Sequence, residues 1–273
     1  MDKRRSRDAL VLWLCSPRKP YSAEAKALFA RMSVEPAATR KGQIDTLIRR
    51  LKIAGLWTKF DILYLLAAHD AQAARLNWIA DAHNLTAVSS PTFTEDRGYA
   101  GNGSTSYLDT GWAPSTGPNF TLNSASLGVY VNAGTDDGAA TRVAAGCISS
   151  GAGAIVIPRS QTTNKLRGRI NASASVDSTG SAATILGLSC LTRTDASNVN
   201  LYRNGALDST VSSASASMPA IALAILANNN AGVIANFSDA RVAFAFAGAG
   251  LSAADIAAIN TLVLAYLTPI GAN

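Results

Sequence analysis

The stretch Asn198-Val-Asn-Leu-Tyr-Arg-Asn-Gly-Ala-Leu-Asp-Ser209 (NVNLYRNGALDS) reads as a β-hairpin. Asn204-Gly205 is the turn. A two-residue type I′ turn needs positive φ at both central positions, and Asn followed by Gly supplies it at the least steric cost. Val199, Leu201 and Arg203 alternate with Asn200 and Tyr202 before the turn, and Ala206, Leu207 and Asp208 follow it. Outward from this hairpin the texture stays the same. After residue 85 helical periodicity stops, and short alternating apolar runs sit between Gly, Asn, Asp and Ser clusters. The predicted strands are 91–94, 105–109, 126–132, 141–148, 153–158, 165–172, 183–193, 198–204, 206–212, 222–227 and 240–247. Their regular spacing argues for an antiparallel sandwich and against a βαβ sheet. The chain closes on a helix from Leu251 to Tyr266, with Ser252 as N-cap, Asp255 at N3 and an apolar stripe of Ile256, Ile259, Leu262, Val263 and Tyr266.

Residues 22–85 read as helical. Ser22 caps a first segment with Ala25, Leu28, Phe29 and Met32 on one face. Pro36 punctuates, and Thr39 is a candidate cap for a second. There Ile44, Leu47, Ile48, Leu51 and Ile53 recur at helical spacing, and Gly55 is a stop signal. Trp57, Phe60, Leu63, Tyr64 and Leu66 open a third segment running to Trp78. The three would form a small all-α unit around one seam. The expected division is therefore an N-terminal arm (1–21), a helical anchoring unit (22–87) and a β-sandwich with its C-terminal helix (88–273).

The chain has 273 residues and a formal net charge of +6. Residues 1–90 hold 15 Lys/Arg and 8 Asp/Glu, and residues 91–273 hold 9 and 10, so all the basicity lies in the first third. A basic segment suits nucleic acid, anionic lipid or an acidic protein. Here Arg49, Arg50 and Lys52 sit in a helical pattern without interleaved aromatics, which reads as a solvated face and not as a nucleic-acid platform. Cys15, Cys147 and Cys190 are too few and too widely spaced for a disulfide framework or a zinc site. Cys147 and Cys190 pair only if two strands bring them together. The run Ala9–Cys15 is too short to span a membrane. Pro17-Arg-Lys-Pro20 follows it where a signal peptide would carry a small-residue cleavage site, so the opening reads as a retained arm.

Four pieces of the second region carry a resemblance: Asp96-Arg-Gly-Tyr-Ala-Gly-Asn-Gly-Ser-Thr-Ser-Tyr-Leu-Asp-Thr-Gly111, Phe120–Val131, the Leu201-Tyr-Arg-Asn-Gly205 hairpin, and Val242-Ala-Phe-Ala-Phe246 with the following helix. In this order they resemble the concanavalin A-like (laminin-G-like) jelly-roll domains of phage and prophage virion proteins. The helical region, with Leu76-Asn-Trp-Ile-Ala-Asp81, resembles the segment joined to such domains. The resemblance implies a mainly β fold, a two-sheet antiparallel jelly-roll sandwich, displayed on a capsid, tail or fibre. It does not fix an activity.

Catalytic patterns are absent from the sequence. A glycoside hydrolase on this fold needs two carboxylates about 5–5.5 Å apart or more, and no Glu-x-Asp-x-Glu strand occurs. His69 and His83 are fourteen residues apart and sit beside no nucleophile motif. Gly98-Tyr-Ala-Gly-Asn-Gly103 precedes a strand, so its glycines are turn residues and not a dinucleotide loop. Legume-type members of the fold hold calcium on Asp and Asn oxygens. The corresponding residue types here are Asn132, Asp136, Asp137, Asp177 and Asp195, none with a known loop spacing, and they read as surface turns. No cofactor or metal is expected.

Two roles follow. The first is a non-enzymatic structural component of a virion: a fibre, spike, tail or decoration protein. It would be made in the host cytoplasm, form homo-oligomers, and be anchored on other virion proteins through Trp13, Leu14, Arg49, Arg50 and Trp57. The second is recognition of host-surface glycans. A pyranose shows both C–H and O–H surfaces, so an aromatic beside amides, carboxylates or hydroxyls suits it; Tyr99, Tyr107, Trp112 and Tyr202, with nearby Asn102, Asp109, Asn119 and Asn132, offer that chemistry, and the loop residue Trp112 reads either as packing under its loop or as stacking on a sugar.

Overall fold

The computed structural model describes residues 20–135 and 141–273. Helices α1 (Ala23–Phe29) and α2 (Ala38–Ile53) come first. Then follow β1 (Phe60–Leu65), β2 (Thr86–Val88), β3 (Thr92–Thr94), β4 (Gly98–Ala100), β5 (Tyr107–Asp109) and β6 (Ala125–Ala133). The middle of the chain supplies β7 (Ala145–Ser149), β8 (Ala152–Ile157), β9 (Lys165–Ala172), β10 (Val176–Ser181) and β11 (Gly187–Arg193). After these come β12 (Asn198–Arg203), β13 (Ala206–Ser212), β14 (Ala224–Ile225), β15 (Asn228–Asn230), β16 (Val233–Ala235), β17 (Arg241–Gly248) and helix α3 (Ala253–Leu267).

The strands form the two sheets of a sandwich. One runs β13-β12-β11-β6-β17-β4-β3, with β1 also paired to β17. The other runs β10-β9-β8-β7-β14-β5-β2, with β15 and β16 appended. Successive side chains of a strand point to opposite faces. Leu127, Val129, Val131, Leu191 and Leu201 of the first sheet thus meet Leu108, Cys147, Val156, Leu166 and Ile170 of the second. The outer face of the first sheet is apolar as well. Leu63, Leu65, Tyr130, Leu188, Tyr202, Phe244 and Phe246 pack there with Leu28, Ile44, Ile48 and Leu51 of α1 and α2 and with Ile256, Ile259 and Val263 of α3. The architecture is therefore three layers: helices, first sheet, second sheet.

The hairpin forms as its sequence dictates. Asn204 and Gly205 have φ of 49° and 85°. Asn204 also ties the turn to β11, since its side-chain Oδ1 accepts from the Leu188 amide at 2.9 Å. Val199 and Leu201 face the inter-sheet core, and Tyr202 faces the helices. Ser22 caps α1, and Ser252 with Asp255 closes a capping box on α3. Helix α2 starts at Ala38, with Ala37 at its N-cap and no side-chain cap, so Thr39 is a residue of its first turn and not its cap. Ala253–Ile270 is long and apolar enough to cross a membrane by length and composition alone; here one face of it is buried on the first sheet.

The all-α reading of residues 22–85 is corrected at its third segment. Phe60–Leu65 is a strand, buried along its whole length between the helices and the second sheet. Ile62 and Tyr64 point into the inter-sheet core, while Leu63 and Leu65 point to the helices. A strand covered on both faces reads as a continuous apolar run, which periodicity alone does not separate from a helix. Cys147 and Cys190 do not pair: both are free and buried, one in the inter-sheet core and the other on the helix-covered face. Burial pushes the Cys147 thiol up to about 12, which keeps it protonated and unreactive.

The Phe246 ring lies on Gly128 and against Phe60, with ring centroids 5.3 Å apart in the Phe60 pair. Phe246→Ala is expected to cost about 3–5 kcal/mol. Because helices and sheets share this cluster, far-UV dichroism and tryptophan fluorescence should unfold in one coincident transition. Two separated transitions would show that the helical layer is an independent unit.

Burial pushes the Asp255 carboxyl up, but Lys59 at 2.8 Å and Ser252 outweigh it and hold it below its usual 3.8. Arg49 and Ser22 do the same for Asp45. A depressed carboxylate binds fewer protons folded than unfolded, so its stabilisation is present above about pH 4 and lost as pH falls below it. Tm should drop steeply below pH 4, and less steeply in Asp255→Asn.

Candidate functional site

The site begins with a bulge. Phe60 pairs with Gly248 and Ile62 with Ala247, so Asp61 is an extra residue on β1. Bulges bend the strand and re-aim a side chain. Here the bulged residue is the one acidic member of an apolar strand. Its carboxylate turns to the following loop, where the Asn119 and Phe120 amides donate to Oδ1 and Oδ2 at 3.0 and 2.8 Å. The close approach needs glycine: a Cβ on Gly117 would stand 2.3 Å from Asp61 Oδ2 and 2.9 Å from the Trp112 ring.

The next residues of β1 hold a second loop. Asn77 is fully buried and accepts from the Leu63 amide at 3.1 Å and from the Ile79 amide at 3.2 Å. The Tyr64 hydroxyl donates to the His83 carbonyl at 2.6 Å, and burial pushes that phenol far above its ordinary range. His83 sits at φ 57°, with Nδ1 3.0 Å from the Gly111 carbonyl. A neutral ring that donates there from Nδ1 presents Nε2 as an acceptor.

Between these loops lies a cleft of about 470 Å³ lined by Trp57, Thr58, Phe60, Asp61, Ile79, Ala80, Ala82, His83, Trp112, Thr116, Pro118 and Asn119. Trp57, Ile79 and Asn119 are half-buried, and His83, Thr116 and Pro118 are exposed. The size is that of a small-ligand site, and apolar walls with a few convergent polar groups fit the same description. Other concavities lie between α2 and α3. One, of about 430 Å³, is lined by Arg50, Ile53, Ala54, Ala257, Ala258, Thr261 and Leu262, and it lacks an aromatic side chain and offers fewer polar groups.

The aromatic residues singled out from sequence for sugar binding do not come together. Tyr99, Trp112 and Tyr202 are only 4%, 2% and 3% exposed, so their rings are packing residues and offer no face to a sugar. The Trp112 ring stands edge-on to Phe120 at 5.7 Å and closes the cleft floor. Tyr202 lies under the helices, on the other face from Tyr99. Asn132 is consumed as a brace: its Nδ2 donates to the Arg97 and Ala272 carbonyls, and its Oδ1 accepts from Arg241 at 2.8 Å. Tyr107 is half-buried beside Phe237, away from the cleft lining.

Among the residues expected to anchor the chain, Trp57 instead lines the cleft. Arg49 is held by Asp45 at 2.7 Å, and Arg50 is exposed beside the α2–α3 groove. Trp13, Leu14, Asp136 and Asp137 lie outside the described residues. Asp177 pairs with Arg167, and Asp195 accepts from the Ser197 and Asn198 amides as a turn residue. No group of three His, Cys, Asp or Glu side chains able to hold a metal occurs among the described residues. Of the lining residues, the sequence reading includes Asn119 among the sugar-binding amides and weighs His83 only as a base; it misses Asp61, Ile79, Thr116 and Pro118. The available signal was the loop chemistry after Gly111, where Pro, Gly, Ser, Thr and Asn cluster in a connection long enough to carry function.

No protein-family model matches the chain, and no curated protein matches it. Solved structures do. The botulinum neurotoxin serotype D binding domain matches with TM-score 0.52 and 9% identity, over 75% of this chain and 52% of that one. The receptor binding domain of botulinum neurotoxin C/D mosaic serotype matches with TM-score 0.51 and 8% identity, over 75% and 51%. Domain 4 of AbnA, a GH43 extracellular arabinanase from Geobacillus stearothermophilus in complex with arabinotriose, matches with TM-score 0.46 and 13% identity, over 73% and 97%. The chain spans about half the length of the two neurotoxin domains. The likeness is one of fold: a mainly β, two-sheet antiparallel sandwich.

Asp61→Ala would leave two loop amides without their acceptor and remove two hydrogen bonds to a charged group. The expected loss is about 2–4 kcal/mol of stability, from about 1.5–3 for each such bond less solvation of the freed groups. Chemical denaturation measures it. A loss under 0.5 kcal/mol, the scale of an ordinary surface substitution, would mean that the carboxylate does not hold the loop.

Proposed function

We propose that the chain is a carbohydrate-binding sandwich that seats a sugar in the cleft between the 77–84 and 111–120 loops. The observation that carries this reading is the company of Trp57. A half-buried indole is flanked by Ile79 and Pro118 and by the polar groups of His83, Thr116 and Asn119. A sugar ring needs that combination: an apolar surface for its C–H face, and donors and acceptors for its hydroxyls. The binding-domain fold neighbours are consistent with it.

The same cleft supports binding without cleavage. Asp61 is the one carboxylate in its lining, and both oxygens already accept backbone amides. Glycoside hydrolysis by the usual route takes two carboxylates. We place the module on a virion, the setting that the jelly-roll resemblance implies, with other virion proteins as partners. The α2–α3 groove, with Arg50 and an Ile53 that is 86% exposed, is the proposed contact surface.

A glycan array followed by calorimetry tests the binding role. Trp57→Ala should weaken binding at least about tenfold, a loss of about 1.4 kcal/mol, while Tm stays within a few degrees. An array without any bound glycan, or binding unchanged in Trp57→Ala, would overturn the proposal.

A further inference from the structure

We infer that the cleft selects uncharged sugars and rejects acidic ones such as sialic acids and uronic acids. The inference rests on the sugar-binding reading and names its ligand class. Recognition of a carboxylate usually takes an arginine fork, a lysine or a set of converging backbone amides. None of the described residues lining the cleft is Lys or Arg. Two cations stand beside the lining, Lys59 next to it in sequence and Arg31 against the Ala80 backbone, and both are held by protein partners. Lys59 pairs with Asp255 at 2.8 Å. Arg31 donates to the Asn77 and Ala80 carbonyls at 2.9 and 3.0 Å and lies 3.4 Å from Asp81.

The site does contain a pair of converging amides, but the protein fills it with its own anion. The Asn119 and Phe120 N–H groups both point at the Asp61 carboxylate. A ligand carboxylate would find those donors taken and a negative charge in their place. Asp61 is only 9% exposed, so the repulsion is weakly screened by solvent. A hydroxyl meets the opposite situation. A carboxylate has about four lone-pair positions, and two N–H groups leave the others to accept from a sugar O–H. A hydrogen bond to a charged acceptor is stronger than a neutral one. The same residue that holds the loop thus favours a polyol and disfavours an acid.

The test uses the full chain and matched ligand pairs that differ in charge: methyl-esterified against free oligogalacturonides, and the carboxyl methyl ester of 3′-sialyllactose against 3′-sialyllactose, all printed on one array with other neutral oligosaccharides. Affinities are then measured by calorimetry for the neutral glycan that binds best and its acidic counterpart. The expected result is at least about a tenfold preference for the neutral member. In Asp61→Asn, which keeps an acceptor for one loop amide, that preference should shrink to about threefold or less. Equal binding of both members, or a preference for the acidic one, overturns the inference and leaves sugar binding intact. Absence of binding to every neutral and acidic glycan overturns the sugar-binding reading and this inference with it. The wild-type pairs decide the matter even if Asp61→Asn fails to fold.

Discussion

The rest of the structure hangs on the pairing of β1 with β17. That ladder inserts a strand from the N-terminal third into the first sheet of the sandwich. It sets Leu63 and Leu65 under the helices and Ile62 and Tyr64 over the second sheet. One irregularity in the ladder then does chemical work. By adding Asp61 to the strand, the bulge turns a carboxylate out of the apolar run and into a loop 58 residues away in sequence. The approach of the strands demands glycine at the partner position, since a Cβ on Gly248 would stand 2.1 Å from the Lys59 carbonyl.

A sheet buried on both faces has consequences for composition. An exposed antiparallel sheet alternates apolar and polar residues, but β6, β11 and β17 are buried on both sides and mostly apolar on both, with Ser126, Ser189, Thr192 and Arg193 as buried polar exceptions. Small residues on these strands, such as Gly128 beneath the Phe246 ring, let large side chains from the neighbouring strand lie flat under the helices. The helices α1 and α2 bury their apolar stripes against the sandwich and share its cluster with α3. Several of their basic residues are paired with acids of the same region, as Arg49 is with Asp45 and Lys52 with Glu24, while Arg40 turns inward to Asp96 and the Tyr266 hydroxyl.

The sandwich was legible in the sequence because its signals are local. Asn204-Gly205 determines its turn by steric preference, and the alternation of Val199 and Leu201 with Asn200 reports one buried face. Each of the eleven runs read as strands overlaps an observed one. What stayed hidden depends on distant partners. Phe60–Leu65 carries the continuous apolar pattern of a doubly covered strand, which becomes distinguishable only when β17 lies beside it. The short strands β2, β4, β15 and β16 hold three residues each, too few for a period to show. The site was harder still. Trp112 sits in a loop whose sequence leaves packing and sugar stacking both open, and the fold decides for packing, with the ring turned inward onto Phe120. Trp57, read as an anchor, is the aromatic that the cleft exposes. Asp61 has no local pattern at all: its role comes from a bulge, a glycine and two amides brought together by the fold.

The central claim is that Asp61 on β1 fixes the cleft loop as firmly as it would a strand, and native-state hydrogen exchange measures this residue by residue. The Asn119 and Phe120 amides, which belong to a loop and to no strand, should exchange as slowly as the amides of β1 and be released in Asp61→Ala. If these amides exchange at rates typical of an open loop in the wild-type chain, the carboxylate does not organise the cleft.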